Sequence, residues 1–407
     1  MNTFVTTTRV LLAAAATATL MQATQAADAP VLERWRSYAG VTWDAGDAPA
    51  PFRRSVDAPI SGIHFDARGR AFVSTPRVIA PDAPATLSLL DTRIDGGPAR
   101  LTAFPSEPGN SITDAPDMHL RNVLGFHVDR RNGWLWALDM GFVAGETEAP
   151  AGAQKIVVYD LASGRVVKRI GLDAVADRKG SFLNDIAVDE RRQVAYISDS
   201  GLRSAPDNEA GLIVADFATG AVHRVLDRHP SVMPEAGVKV SAHGNEVWPG
   251  KPLTLGINGV ALSPDGGTLY WTVTTGLHAF AIRTDLLRGA STDASRIAAA
   301  VRKLGNVGGN TDGIVTDAAG ELYITDDTHD GLVRYDPKTD TMAVLATDPR
   351  VSWPDTVDIA PDGAVVFTSS RLNDHFAGVV KAGSEQYDLW RLARPATRTG
   401  SARSDRR

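Results

Sequence analysis

A chain of 407 residues that is 43% hydrophobic and 22% charged can bury a sizeable core, and is neither disordered nor membrane-embedded as a whole. Its formal net charge of -6 offers no basic field for phosphate backbones, so nucleic acid is not an expected partner. The absence of cysteine rules out disulfides, thiolate metal sites and covalent cysteine chemistry, and leaves oxygen-liganded calcium open.

At the N-terminus, Arg9 precedes an apolar run from Val10 to Leu20 and the small residues Ala23, Ala26 and Ala27. This pattern predicts a secretory signal peptide over residues 1–26, because the apolar part falls short of the roughly 20 residues a spanning helix needs. The expected destination is the periplasm or the extracellular space, with no membrane span in the mature protein.

Six similar segments follow in order: PISGIHFDARGRAFVST, NVLGFHVDRRNGWLWALD, FLNDIAVDERRQVAYISD, GINGVALSPDGGTLYWTV, NTDGIVTDAAGELYITD and WPDTVDIAPDGAVVFTS. Each alternates apolar and polar residues on both sides of a turn rich in Asp, Gly and Pro, the signature of a β-hairpin. Their starts lie roughly 40 to 75 residues apart, a spacing that suits four-stranded propeller blades. The expected fold is all-β, a six-bladed β-propeller over residues 27–394. Between the hairpins, GAQKIVVYDLASGRVVKRI, NEAGLIVADFATGAVHRVL and GLVRYDPKTDTMAVLA read as outer hairpins. DASRIAAAVRKLG predicts a short helix capped by Asp293 and stopped by Gly305. The last segment, 395–407, has four arginines and no periodicity, which predicts a disordered tail.

Aligned on their turns, the hairpins place Ser61, Leu124, Asn184, Asn258, Asp312 and Asp355 at one position. The first strand of a blade lines the central channel, so these residues form a ring. Two amides and two carboxylates, Asn184, Asn258, Asp312 and Asp355, are a donor set for a hard cation, with calcium the candidate. The same residue types also favour Asx turns at strand starts, and could bind a polar ligand or order a water. The second strands bring Asp139, Asp199 and Asp326 to the edge where the first strands begin; together with Asn184 and Asp185 they are candidate ligand contacts, and Asp199 and Asp312 candidate proton-transfer groups. His329 and His375, which follow the fifth and sixth hairpins, are candidate general bases. There is no G-x-S-x-G elbow, phosphate loop, H-E-x-x-H or dinucleotide fingerprint, and nothing in the sequence singles out a serine nucleophile.

The motifs FLNDIAVD, AYISDSG, GLIVADF, GINGVALSPDGGTLYWTV, HAFAIRTDLLR, WPDTVDIAPDG and TSSRLNDHF, taken in this order, resemble the yellow and major royal jelly protein family over most of the mature chain. That resemblance implies a secreted six-bladed propeller binding small, often aromatic amine or catechol-like molecules, with dopachrome conversion in some members. Asn258, Asp312 and Asn184 also resemble the metal and channel residues of the calcium-dependent gluconolactonase and senescence-marker family. Ser61 departs from that family's metal-binding glutamate; in the repeat register, Asp355 restores the charge. Three functions follow as expectations: a channel-mouth protein that binds or converts a small polar or aromatic molecule, a calcium-dependent lactonase or esterase-type hydrolase, or a non-catalytic interaction platform. A monomer is expected.

Overall fold

In the computed structural model, which describes residues 30–44, 53–55, 57–112, 115–289 and 293–393, the six hairpins form the inner halves of six sheets. The segments read as signal peptide and tail lie outside the described residues. Blades two to five are four-stranded meanders that each begin with the first strand of a hairpin, at Val123, Leu183, Ile257 and Ile314. Blade one has strands Gly62–Phe65, Ala71–Ser74, Leu87–Leu90 and Ala99–Ala103, and gains Val41–Trp43 in parallel pairing and Arg53–Ser55 beyond it. The sixth blade closes the circle. Its outermost strand, Val31–Tyr38, comes from the other end of the chain and pairs antiparallel with Tyr387–Ala393.

Turn chemistry explains why the hairpins form where they do. Asp129 and Asp189 end their inner strands, Asp66 and Asp317 directly follow theirs, and all four accept hydrogen bonds from backbone N–H groups of the turn that follows. The apolar residues of each strand then pack between neighbouring sheets. Trp136, Leu138 and Ile156 of blade two, for example, share a cluster with Ile186, Val188 and Ile197 of blade three. At roughly 1.5–3 kcal/mol for each large apolar side chain removed from water, these inter-blade layers are the main source of stability in a chain without disulfides.

The expected helix forms as Ala294–Ala300, with the Asp293 carboxylate accepting from the N–H groups of Ser295 and Arg296. It ends well before Gly305, because Arg302–Asn306 is taken up as the outer strand of blade four. The stretch between blades three and four has no counterpart in the sequence reading. It carries a small hairpin, Ser241–Ala242 with Asn245–Glu246, and buries Val240, Ala242 and Val247 against Trp353 and Leu372 of blade six. This segment therefore reaches across the ring end of blades five and six.

Candidate functional site in the central channel

In blades two, three, four and six a bulge shapes the ring position. Pairing of first with second strand slips between Val123 and Phe126, Leu183 and Ile186, Ile257 and Val260, and Pro354 and Val357. The slip falls at the ring residue and its successor, and re-aims both. Hydroxyls on the second strands satisfy the freed backbone: Ser74 accepts from the Gly62 N–H and donates to the Leu124 carbonyl, Ser198 accepts from the Asp185 N–H, and Thr325 from that of Gly313. The residue after the ring position is Gly in four blades, and the backbone spacing requires it. A Cβ on Gly125 would stand 2.3 Å from the Asn184 carbonyl oxygen, and one on Gly313 2.4 Å from that of Asp355. Blade three places Asp185 there instead. Its carboxylate accepts from the N–H of Ile186 and, across to blade four, from that of Val260.

All six ring residues are buried. Asp312 accepts from Asn258 Nδ2 at 2.5 Å and from Trp353 Nε1 at 2.9 Å, and Asn258 Nδ2 also donates to Thr274 Oγ1. Asp355 accepts only a long 3.4 Å contact from Thr356 Oγ1; its buried Oδ2 completes no hydrogen bond, although the Ser61 hydroxyl lies beside it. Burial pushes Asp312 up to about 7, with the negative charge of Asp185 adding to the effect and the bonds from Trp353 and Asn258 opposing it. Asp355 is raised well above the ordinary carboxylate range by burial first and by Asp312 and Asp185 second. Asp185 is itself raised by burial, against backbone N–H bonds and the fields of His64 and His127. Asp185, Asp312 and Asp355 thus compete at the channel floor, and buried Asp327 is raised well above the ordinary range by burial first and by Asp312 second, so a proton or a cation relieves the group.

From this floor a cavity of about 390 Å³ runs along the inner strands to their hairpin turns, at Arg130 and Arg131, Glu190 and Arg191, and Asp265 and Gly266. Its wall has two faces. Three residues beyond the ring position stand His64, His127 and Asp358 on blades one, two and six, opposite Ala187, Ala261 and Val315 on blades three to five. Asp358 accepts from Arg130 at 2.7 Å and lies 3.6 Å from His64 Nδ1; burial alone would raise it, but these partners outweigh burial and hold it below the ordinary range. His127 Nε2 is 3.2 Å from Glu190 Oε1, and burial of Glu190 is likewise outweighed by that contact. The sequence reading missed His64, His127, Asp358 and Glu190. The first three were legible in the repeat register, which places them three positions beyond Ser61, Leu124 and Asp355.

The remaining sequence candidates do not line this cavity. Asp139 accepts from the N–H groups of Arg121, Asn122 and Gly141 and pairs with buried Lys155 at 2.7 Å. Asp199 accepts from Ser181 Oγ and the Phe182 N–H and pairs with Arg224 at 2.8 Å. Asp326 accepts from the N–H groups of Thr328 and His329 and from His329 Nδ1. Each carboxylate fastens the chain beside its second strand. His375 lies 3.3 Å from Asp57, stacked on Tyr387, its pKa lowered by burial.

As a calcium site the ring fits in its chemistry: four oxygen-bearing side chains, one orphaned buried carboxylate oxygen, and no cation among the groups that shift Asp312 and Asp355. Among the described residues no three His, Asp or Glu side chains form a group that could hold an ion, so a cation here would lean on the amides of Asn184 and Asn258.

A sequence profile of the major royal jelly protein family matches residues 122–399. The protein yellow of Drosophila erecta is 30% identical over 239 residues, covering 56% of this chain and 42% of that protein. Yellow of Drosophila melanogaster is 29% identical over the same length, with the same coverage, so the match spans less than half of these relatives. Among solved structures, a gluconolactonase from Xanthomonas campestris superposes with a TM-score of 0.45 and 16% identity, over 82% of this chain and 85% of that one. A luciferin-regenerating enzyme superposes at 0.49 and 13%, over 83% and 92%.

Proposed function

The chain belongs to the major royal jelly protein family, and on that premise we propose that it is an exported binding protein that holds one small polar or aromatic molecule inside its central channel. The observation that supports this most is the two-faced wall of the 390 Å³ cavity, with His64, His127 and Asp358 across from Ala187, Ala261 and Val315. The volume lies within the range of small-molecule pockets. A planar ligand would lay its apolar face on the alanines and valine and its polar edge on the histidines, while a cationic group directed at the floor would be met by Asp185, Asp312 and Asp355. Among the described residues no helix is long and apolar enough to cross a membrane, and export to the periplasm or beyond rests on the signal-peptide pattern.

Titration calorimetry with a panel of aromatic amines and catechols tests the proposal. Binding is expected in the wild type and a loss of about tenfold or more in Asp185→Asn and His127→Ala. No binding across the panel, or equal binding in all three proteins, overturns it.

The orphaned Asp355 oxygen supports a second function, a calcium-dependent hydrolase of lactones or esters. Asn184, Asn258, Asp312 and Asp355 would hold the ion, which when bound would polarise the substrate carbonyl. Calcium content that is lost in Asp312→Ala would favour it.

A further inference from the structure

Ser352, His243 and Asp330 come from three separate segments and meet at the ring end of blades five and six. His243 Nδ1 lies 2.9 Å from Asp330 Oδ2, and His243 Nε2 lies 3.1 Å from Ser352 Oγ. With the Nδ1 proton donated to the carboxylate, Nε2 is left to accept the serine proton, the order of roles that activates a hydroxyl. The Ser352 backbone is pinned on both sides by one neighbour: its N–H donates to Ser369 Oγ at 2.8 Å, and that hydroxyl donates to the Ser352 carbonyl at 2.9 Å. A cleft of about 280 Å³ opens beside the three, lined by His243, Ser352, Ser369 and Arg371. His243 is 40% exposed and Asp330 13%, so the base meets solvent while its acidic partner is sheltered.

The backbone around the cleft is strained. His243, Asp330, Trp353 and Arg371 all have positive φ, at 51°, 60°, 53° and 55°. Left-handed backbone outside glycine persists where the surroundings enforce it, and it gathers at sites of chemistry.

We propose that Ser352, His243 and Asp330 form a second site, separate from the channel, that hydrolyses small carboxylic esters without a metal. Ser352 Oγ bonds to the ester carbonyl carbon as its proton passes to His243 Nε2. The tetrahedral adduct breaks its bond to the alcohol, which leaves with that proton. Water then attacks the acyl-serine with His243 as base, restoring the hydroxyl and releasing the carboxylic acid. Asp330 acts through His243 and is a positioning residue. The size of the cleft restricts the acyl group to short chains.

The test uses the full chain, p-nitrophenyl acetate and butyrate as substrates, and a fluorophosphonate probe whose adduct is mapped by peptide mass spectrometry. Expected are turnover that persists in EDTA, a fluorophosphonate adduct on Ser352, and a loss in kcat of about a thousandfold or more in Ser352→Ala and His243→Ala. Asp330→Asn should lower kcat with little change in KM, and Asp330→Glu should restore part of it. Absence of the Ser352 adduct in the wild type, which requires no variant to fold, overturns the proposal, as does equal turnover by wild type and a folded Ser352→Ala.

Discussion

A buried carboxylate oxygen without a hydrogen-bond partner, as on Asp355, is costly unless a proton or a cation sits on it. Asp312, pushed from its ordinary 3.8 to about 7, shares the same floor. A carboxyl whose folded pKa stands above its unfolded one binds its proton more tightly when folded. Stability from these groups is therefore full below the unfolded pKa, and it declines as pH rises through the window up to the folded pKa. Asp355→Asn removes one of the competing charges. Its stability relative to wild type, read from denaturant melts without divalent ions, should increase from about pH 5 to about pH 8, by on the order of 1 kcal/mol or more. A difference that stays flat across this range would show that the floor carries no such strain. If calcium occupies the ring, adding it at about pH 8 should reverse the order by stabilising the wild type alone. The same scale explains the acids at the ends of the second strands. Asp139, Asp199 and Asp326 recur in register because each fastens neighbouring backbone N–H groups, a role that alternation and turn chemistry do not distinguish from ligand contact.

At the level of the strand, the bulge turns a repeating hairpin into a channel. In blades three, four and six the slip of the ladder re-aims a polar ring residue, and in blades two and four the backbone that follows comes close to the next blade. Gly125 lies where the inner strands of blades two and three nearly touch. Gly125→Ala should therefore cost about 2–4 kcal/mol, because its Cβ would meet a neighbouring carbonyl rather than a movable side chain. Urea denaturation measures this, and a loss below about 0.5 kcal/mol would mean that the inner strands can separate freely. The helix at Ala294–Ala300 shows the limit of local rules. Asp293 caps it as its side-chain chemistry dictates, yet it stops at the point where pairing with blade four becomes available, and Gly305 lies inside the strand that results.

Across the whole molecule, closure depends on Val31–Tyr38, which covers the edge of the sixth blade. Without it, the strand Tyr387–Ala393 would present unpaired N–H and C=O groups and expose apolar surface around the buried Trp390. A protein that begins after Tyr38 should melt at least about 10 °C lower or aggregate on purification, as differential scanning calorimetry and light scattering would record. Unchanged melting would show that the remaining strands of the blade suffice. The sequence by itself determined six hairpins, their turns and the ring, because alternation, Asx turns and glycine placement act within a few residues and repeat in one register. The register also held His64, His127 and Asp358, although their chemistry emerged only when the cavity put Asp185 and an apolar wall around them. Only the tertiary structure decided that the cavity runs from the ring to the hairpin turns, that the segment around Val240 crosses the ring end, and that Ser352 meets His243 and Asp330. Those contacts join residues far apart in the chain, and such proximity is set by how the blades close around the axis, not by any local pattern.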